Sequence, residues 1–154
     1  MRQEVVSNID LARTFEDLAG VASPAYRSSR SLVTTFANRD RSRNNYAFIE
    51  HTWSGAGNDP DTGGSLSRIP SYVAVRSRDA VLIRSDLDRD PRETEFVWEF
   101  YEYADAPFEQ TNTYADPQDP AKLATLLRKL GEFRSCSNVV RNAAVPQRCR
   151  GLRR

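Results

Sequence analysis

Lysine is almost missing from this sequence. Lys122 and Lys129 are the only two among 22 basic residues, against 21 acidic ones, for a formal net charge of +1. A chain so balanced has no bulk field to draw it to nucleic acid or to an acidic membrane surface. The dominance of arginine reads as coding bias, although a guanidinium does suit bidentate contacts with anions. Histidine occurs once, at His51, and cysteine twice, at Cys136 and Cys149. Two cysteines without histidine neighbours are too few for a structural zinc site. No stretch approaches the roughly 18 apolar residues that read as a membrane-crossing helix. The opening "MRQEVVSNID" has no apolar h-region, so it is not a signal peptide. A length of 154 residues gives room for one hydrophobic core, or for one small domain plus a piece of another.

What is present is unevenly organised. A short β-prone run, Val5-Val6, leads into a helical pattern with Leu11, Phe15 and Leu18 at i, i+4 and i+7, closed by Gly20 at a C′ position. Asp10 or Ser7 is its candidate cap. Residues 21–45 read as loop, and "AFIEHTW" at 47–53 as a strand. The stretch "SGAGNDPDTGGS" reads as a flexible surface loop. "SYVAVRS" and "DAVLIRSD" are β-branched runs joined closely around Ser77-Arg78, which predicts a hairpin. "EFVWEFYEY" follows as a strand with Phe96, Trp98 and Phe100 on one face and Val97, Glu99, Tyr101 and Tyr103 on the other. In "DPAKLATLLRKLGEFRSC", Asp119 is the expected N-cap and Pro120 the first helical residue. Leu123, Leu126, Leu127, Leu130 and Phe133 form its apolar stripe, and the aromatic strand is the expected cover for it.

Three of these segments, in this order, resemble the sulfatases of the alkaline phosphatase superfamily. "VSNIDLARTFEDLAGV" followed by "RSL" at 30–32 is similar to a phrase late in their large domain. "YVAVRSRDAVLI" resembles their C-terminal hairpin. "EFYEYADAPFEQTN" resembles E-L-Y-D-L-x-x-D-P-x-E-x-x-N, with Glu99, Tyr101, Pro107, Glu109 and Asn112 in register. The chain departs from the pattern at Arg13, where proline is usual, at Ala106 in place of the aspartate of the turn, and at Val81, often basic. The family makes a formylglycine from a C-x-P-x-R motif and binds a divalent cation, usually calcium, through Asp and Asn side chains. Neither is matched here. "ASPAYR" has Ala22 in place of the nucleophile precursor and one residue too many between Pro24 and Arg27. The resemblance therefore implies no catalytic residue and no metal ligand in this chain, with the cation bound upstream.

Four features remain as candidate sites. Glu50-His51 pairs a carboxylate with the lone histidine, but neighbours on a strand point to opposite faces and cannot form a dyad unless the strand bends. His51 is a candidate for lining the substrate pocket of a complete sulfatase, with a solvated strand end as the plainer alternative. Arg76 and Arg78, beside the hairpin turn, suit a sulfate or phosphate oxygen or simply a solvated turn; Arg76 is retained as a substrate-binding candidate. Glu95 and Glu99 lie about 13 Å apart along a strand, too far for a glycosidase pair, and pairing with arginines is the expected role of these glutamates and Glu102. Cys136 and Cys149 resemble the cysteine pair that closes the C-terminus of many secreted sulfatases, so a disulfide is expected over free thiols.

The expected architecture is α+β: a small antiparallel sheet packed on a C-terminal helix, preceded by a strand and helix resembling the end of a sulfatase large α/β domain. Residues 1–35 would be the remnant of that domain and 36–154 the C-terminal subdomain, with a flexible loop at 54–67. The expected function is that of a C-terminal sulfatase fragment that supports the catalytic domain and the substrate entrance and is inactive alone. Its partner would be the missing catalytic domain, in cis or in trans, with a sulfate ester bound only in the full enzyme. Neither nucleic acid nor a membrane span is expected. The first helix, lacking cover, points to a possible homodimer or early proteolysis of residues 1–35. The cysteine pair suggests an extracellular or periplasmic setting for a full-length bacterial protein whose signal would lie upstream of Met1. The alternatives are a self-standing protein- or sugar-binding module and, more remotely, an autonomous hydrolase using His51.

Overall fold

The computed structural model describes residues 4–38, 46–52, 70–87, 94–104, 108–136, 144–146 and 149. The expected loop 54–67 and the turn at 106–107 lie outside the described residues. The described chain forms α1 (Ile9–Leu18), α2 (Val33–Ala37), β1 (Ala47–His51), β2 (Ser71–Arg76), β3 (Ala80–Asp86), β4 (Phe96–Glu102) and α3 (Pro120–Arg134). The four strands make one antiparallel sheet in the order β1-β2-β3-β4. The arrangement is α+β.

The hairpin between β2 and β3 turns through Ser77, Arg78 and Asp79. Ser77 builds it: its N–H donates to the Ala80 carbonyl at 2.8 Å, and its hydroxyl bonds Asp79 Oδ1 at 2.8 Å and accepts from Ala80 N–H at 3.0 Å. Register then puts Phe48, Val75, Leu82 and Phe100 in one row across all four strands. On that face Val75, Leu82 and Phe100 are fully buried under Leu123, Leu126, Leu130 and Phe133 of α3. Each such side chain contributes about 1.5–3 kcal/mol by leaving water.

The helix is set as its sequence directs. Asp119 Oδ1 accepts from Lys122 N–H at 2.9 Å, and Pro120 is the first helical residue. Its cover differs from the expectation, because α3 lies across β2 and β3 rather than along the aromatic strand. β4 is at the sheet edge, so only Phe100 reaches the centre of the core. Trp98 is half-buried at its margin, stacked on Tyr114 with ring centroids 5.6 Å apart. Phe96 lies beyond the helix, exposed, with the Arg84 guanidinium 4.2 Å from its ring centroid.

The outer edge of β4 is closed by a side chain. Asn112 donates through Nδ2 to the Trp98 carbonyl at 2.9 Å and accepts the Phe100 N–H on Oδ1 at 3.0 Å, so its amide substitutes for a neighbouring peptide unit. Thr113 continues the pairing by donating its N–H to the Phe100 carbonyl at 2.9 Å.

The N-terminal stretch is organised differently. Residues 4–8 form no strand, so Val5-Val6 leads into α1 as irregular chain. Neither Asp10 nor Ser7 is the N-cap. That position is Asn8, which makes no side-chain cap bond. Asp10 turns inward instead, accepting Ser7 N–H at 3.2 Å and Arg30 N–H at 2.9 Å on its two oxygens. One turn on, the Thr14 hydroxyl donates to the Asp10 carbonyl at 2.7 Å and accepts Leu32 N–H at 2.9 Å. The helix ends in a Schellman arrangement: Val21 N–H reaches the Glu16 carbonyl, Gly20 N–H reaches that of Asp17, and Gly20 takes φ +69°. A short helix, α2, occupies part of the stretch expected to be loop.

Candidate functional site

The face of the sheet opposite α3 carries the two substrate-binding candidates. Cross-strand rows place Ala47, Arg76, Val81 and Tyr101 together, then Ile49, Ala74, Ile83 and Glu99, then His51, Tyr72, Ser85 and Val97. His51 and Arg76 thus share a face. They are not brought together, since His51 sits opposite Tyr72, four residues and about 13 Å along β2 from Arg76. Glu50 lies on the α3 face, so the adjacent carboxylate and imidazole point apart as the strand geometry requires.

His51 stacks on Tyr72 with ring centroids 5.4 Å apart. Its Nε2 is shielded from solvent and makes no hydrogen bond among the described residues. A buried ring nitrogen without a partner is uncommon in a folded protein and marks a place where a polar group would be favourably received.

Arg76 belongs to a compact charged and aromatic group. Its guanidinium carbon lies 4.7 Å from the Tyr103 ring centroid, and Nη1 is 4.0 Å from Glu109 Oε1. The same oxygen accepts from the Tyr103 hydroxyl at 2.7 Å. Glu109 adopts φ +54°, a left-handed conformation that costs a side-chain-bearing residue energy and that its two partners offset. Burial, and then the bond to Glu109, hold the Tyr103 hydroxyl well above the ordinary phenol range. Beside it Tyr101 donates to Glu99 Oε2 at 2.5 Å, and this bond, with burial, pushes its hydroxyl up to about 12.

Glu99 and Glu102 do not pair with arginines across strands as expected. Glu99 takes the hydroxyl of Tyr101. Glu102 is buried, accepts Gln118 N–H at 2.9 Å and lies 3.6 Å from Lys122 Nζ. That ammonium also lies 3.4 Å from Asp79 and 3.9 Å from Asp119, clamping the hairpin turn to the start of α3. The hydroxyl of Ser77 and then Lys122 lower the Asp79 carboxyl below its ordinary value. Burial alone would lower the Lys122 pKa, but the surrounding carboxylates, Asp79 foremost, raise it.

These residues do not fit a divalent-cation site. Among the described residues no three His, Cys, Asp or Glu side chains are grouped to hold a metal ion, and the carboxylates of Asp79, Glu102 and Asp119 surround an ammonium instead. The "ASPAYR" stretch is also structural. Arg27 N–H donates to the Pro24 carbonyl at 3.0 Å, closing a turn, and its guanidinium pairs with Glu16 of α1 at 2.8 Å. Cys136 and Cys149 are joined in a disulfide. No described helix is long and apolar enough to cross a membrane.

The roles of Asp10, Thr14, Glu102 and Asn112 were not foreseen from sequence. The only signal for them was that Asp10, Thr14 and Asn112 fall in the stretches that resemble sulfatases.

No family model matches the chain, and no curated protein matches it in sequence. Solved structures do match. One, BT4656, was solved in complex with its substrate D-glucosamine-2-N,6-O-disulfate; it is 22% identical with a TM-score of 0.61, over 82% of this chain and 23% of that one. Another, BT1596, is a 2-O GAG sulfatase, 22% identical with a TM-score of 0.57 over 92% of this chain and 28% of that one. A third comes from Bacteroides thetaiotaomicron and its metabolism of multiple glycosaminoglycans, and is 19% identical with a TM-score of 0.58 over 79% of this chain and 25% of that one. The chain thus spans about a quarter of the length of these structures and has the fold of that part of a sulfatase.

Proposed function

We propose that this chain is the C-terminal portion of a sulfatase, which braces the catalytic domain and shapes the substrate entrance but turns over nothing by itself. One observation carries the reading. Leu11, Phe15 and Leu18 of α1 are 47%, 64% and 63% exposed, although Asp10 and Thr14 hold that helix in a defined place. A helix built with an apolar stripe and left uncovered is a surface shaped for a further layer of protein. In a sulfatase that layer is the catalytic domain, in cis or in trans.

Two structural neighbours support a reading of the substrate class, one solved with D-glucosamine-2-N,6-O-disulfate and the other a 2-O GAG sulfatase. In the whole enzyme the substrate is a sulfated saccharide. Arg76, whose side chain is exposed, offers its guanidinium to an anionic substituent, and His51 lies on the same face of the sheet. The cation and the formylglycine belong to the catalytic domain.

Purified residues 1–154 are expected to hydrolyse no aryl sulfate or phosphate ester above the buffer rate, with or without calcium. Turnover that disappears in His51→Ala would overturn the reading in favour of an autonomous hydrolase. Limited proteolysis with light scattering supplies the second arm. The uncovered α1 should be cut early or hold the chain in a dimer, whereas a monomer with residues 1–35 as resistant as α3 would favour a self-standing binding module.

A further inference from the structure

Cys136 and Cys149 are buried in a small apolar cluster with Val145, against which Phe48 of β1 packs. Phe48 also stacks on Phe133 near the end of α3, with ring centroids 4.8 Å apart. The disulfide therefore fixes the segment around Val145 beside β1 and the last turn of α3, and Cys149 N–H donates to the Pro146 carbonyl at 2.8 Å. From this position Val145 N–H donates to the carbonyl of Ala25 at 3.3 Å. Ala25 lies in the turn after α1, which Arg27 ties back to Glu16. A continuous path thus runs from α3 through the disulfide and Val145 to the N-terminal unit.

We propose that the Cys136–Cys149 disulfide tethers the N-terminal unit to the sheet. Oxidised, it holds Val145 against Ala25 and keeps the N-terminal unit docked beside the sheet. Reduced, it lets that unit leave the sheet and open more often. The main core of Val75, Leu82, Phe100, Leu126 and Leu130 contains neither cysteine and no residue of the N-terminal unit, so it survives the change. The step needs a dithiol reductant: two electrons and two protons turn the S–S bond into two thiols while the dithiol closes to its own disulfide.

Hydrogen exchange read by mass spectrometry on residues 1–154, before and after dithiothreitol, tests this, with alkylation of both thiols confirming that the bridge has opened. Exchange across residues 9–30 should quicken about tenfold or more on reduction, while β2, β3 and α3 up to Leu130 keep their rates. An N-terminal unit equally protected in both forms overturns the proposal, and so does loss of protection throughout the sheet. Val145→Pro removes the donor and leaves the sulfurs alone, so it should release the same residues with the bridge intact. If it does not, the coupling does not run through Val145 and the proposal falls.

Discussion

α3 on its sheet and α1 at the other end of the chain are both amphipathic helices, yet they are held by opposite means. α3 is held by its apolar stripe, with Leu126 and Leu130 each 1% exposed. α1 leaves its stripe in water and is fastened by two polar side chains that reach backbone 18 and 20 residues away. Hydrophobic burial is strong and tolerant of small displacements, whereas side-chain-to-backbone bonds are weaker but directional. The contrast teaches that the chain completes its own core around the sheet and only positions α1, with the apolar stripe of that helix left exposed.

Substitutions that remove the same kind of side chain from each helix break the comparison most sharply. Leu126→Ala is expected to destabilise by about 3 kcal/mol in denaturant unfolding, because it opens a cavity under the sheet. Leu18→Ala, on the exposed stripe, should change stability by less than about 0.5 kcal/mol. Equal losses would mean that α1 is buried in solution. The next effect is local. Asp10→Ala leaves the N–H groups of Ser7 and Arg30 without acceptors, at a cost of about 1–3 kcal/mol. It should appear as faster hydrogen exchange at residues 7 and 30, with β3 unchanged. Asn112→Ala, which unpairs the outer edge of β4, should cost about 1 kcal/mol and show in the thermal midpoint.

The smallest expected effect concerns the Lys122 clamp and appears only as pH dependence. Asp79 has a folded pKa below its unfolded value, so its contribution is present above the ordinary carboxylate range, about 3.9, and is lost as pH falls through the folded value. Lys122 has a raised pKa. Its contribution is present below the ordinary ammonium value, about 10.4, and is lost as pH rises through the folded one. The clamp is thus intact through the neutral range and weakens at both ends. Asp79→Asn should shrink the acid-side loss of thermal stability, and an unchanged acid limb would show that the clamp contributes nothing there.

The sheet and α3 were largely legible in the sequence because their signals are periodic. Alternation set the faces of β4, the leucines set the stripe of α3, and Asp119-Pro120 set its start. Asp10 and Thr14 were not legible as fasteners, since a bond to backbone some twenty residues on leaves no period to detect. α2, five residues without a side-chain cap, has too little pattern to stand out from loop. Phe96 shares a face with Trp98 and Phe100, as expected, but alternation does not say how far a covering helix extends, and α3 stops short of it. Of the candidate site, the shared face of His51 and Arg76 follows from strand parity once the hairpin is placed. The unbonded nitrogen of His51 and the left-handed Glu109 beside Arg76 depend on neighbours that only the fold supplies.

The side chain of Asn112 has a consequence for solubility. The segment from Phe96 to Tyr101 is aromatic and β-branched, contains no proline and sits at a sheet edge, the composition of strands that recruit further strands and seed fibrils. Recruitment requires a row of open N–H and C=O groups, and Asn112 and Thr113 occupy those at the middle of this edge. A growing ribbon of copies, which must pass hydrogen bonds in through one edge of each sheet and out through the other, would meet a closed edge at β4 in every molecule it reached.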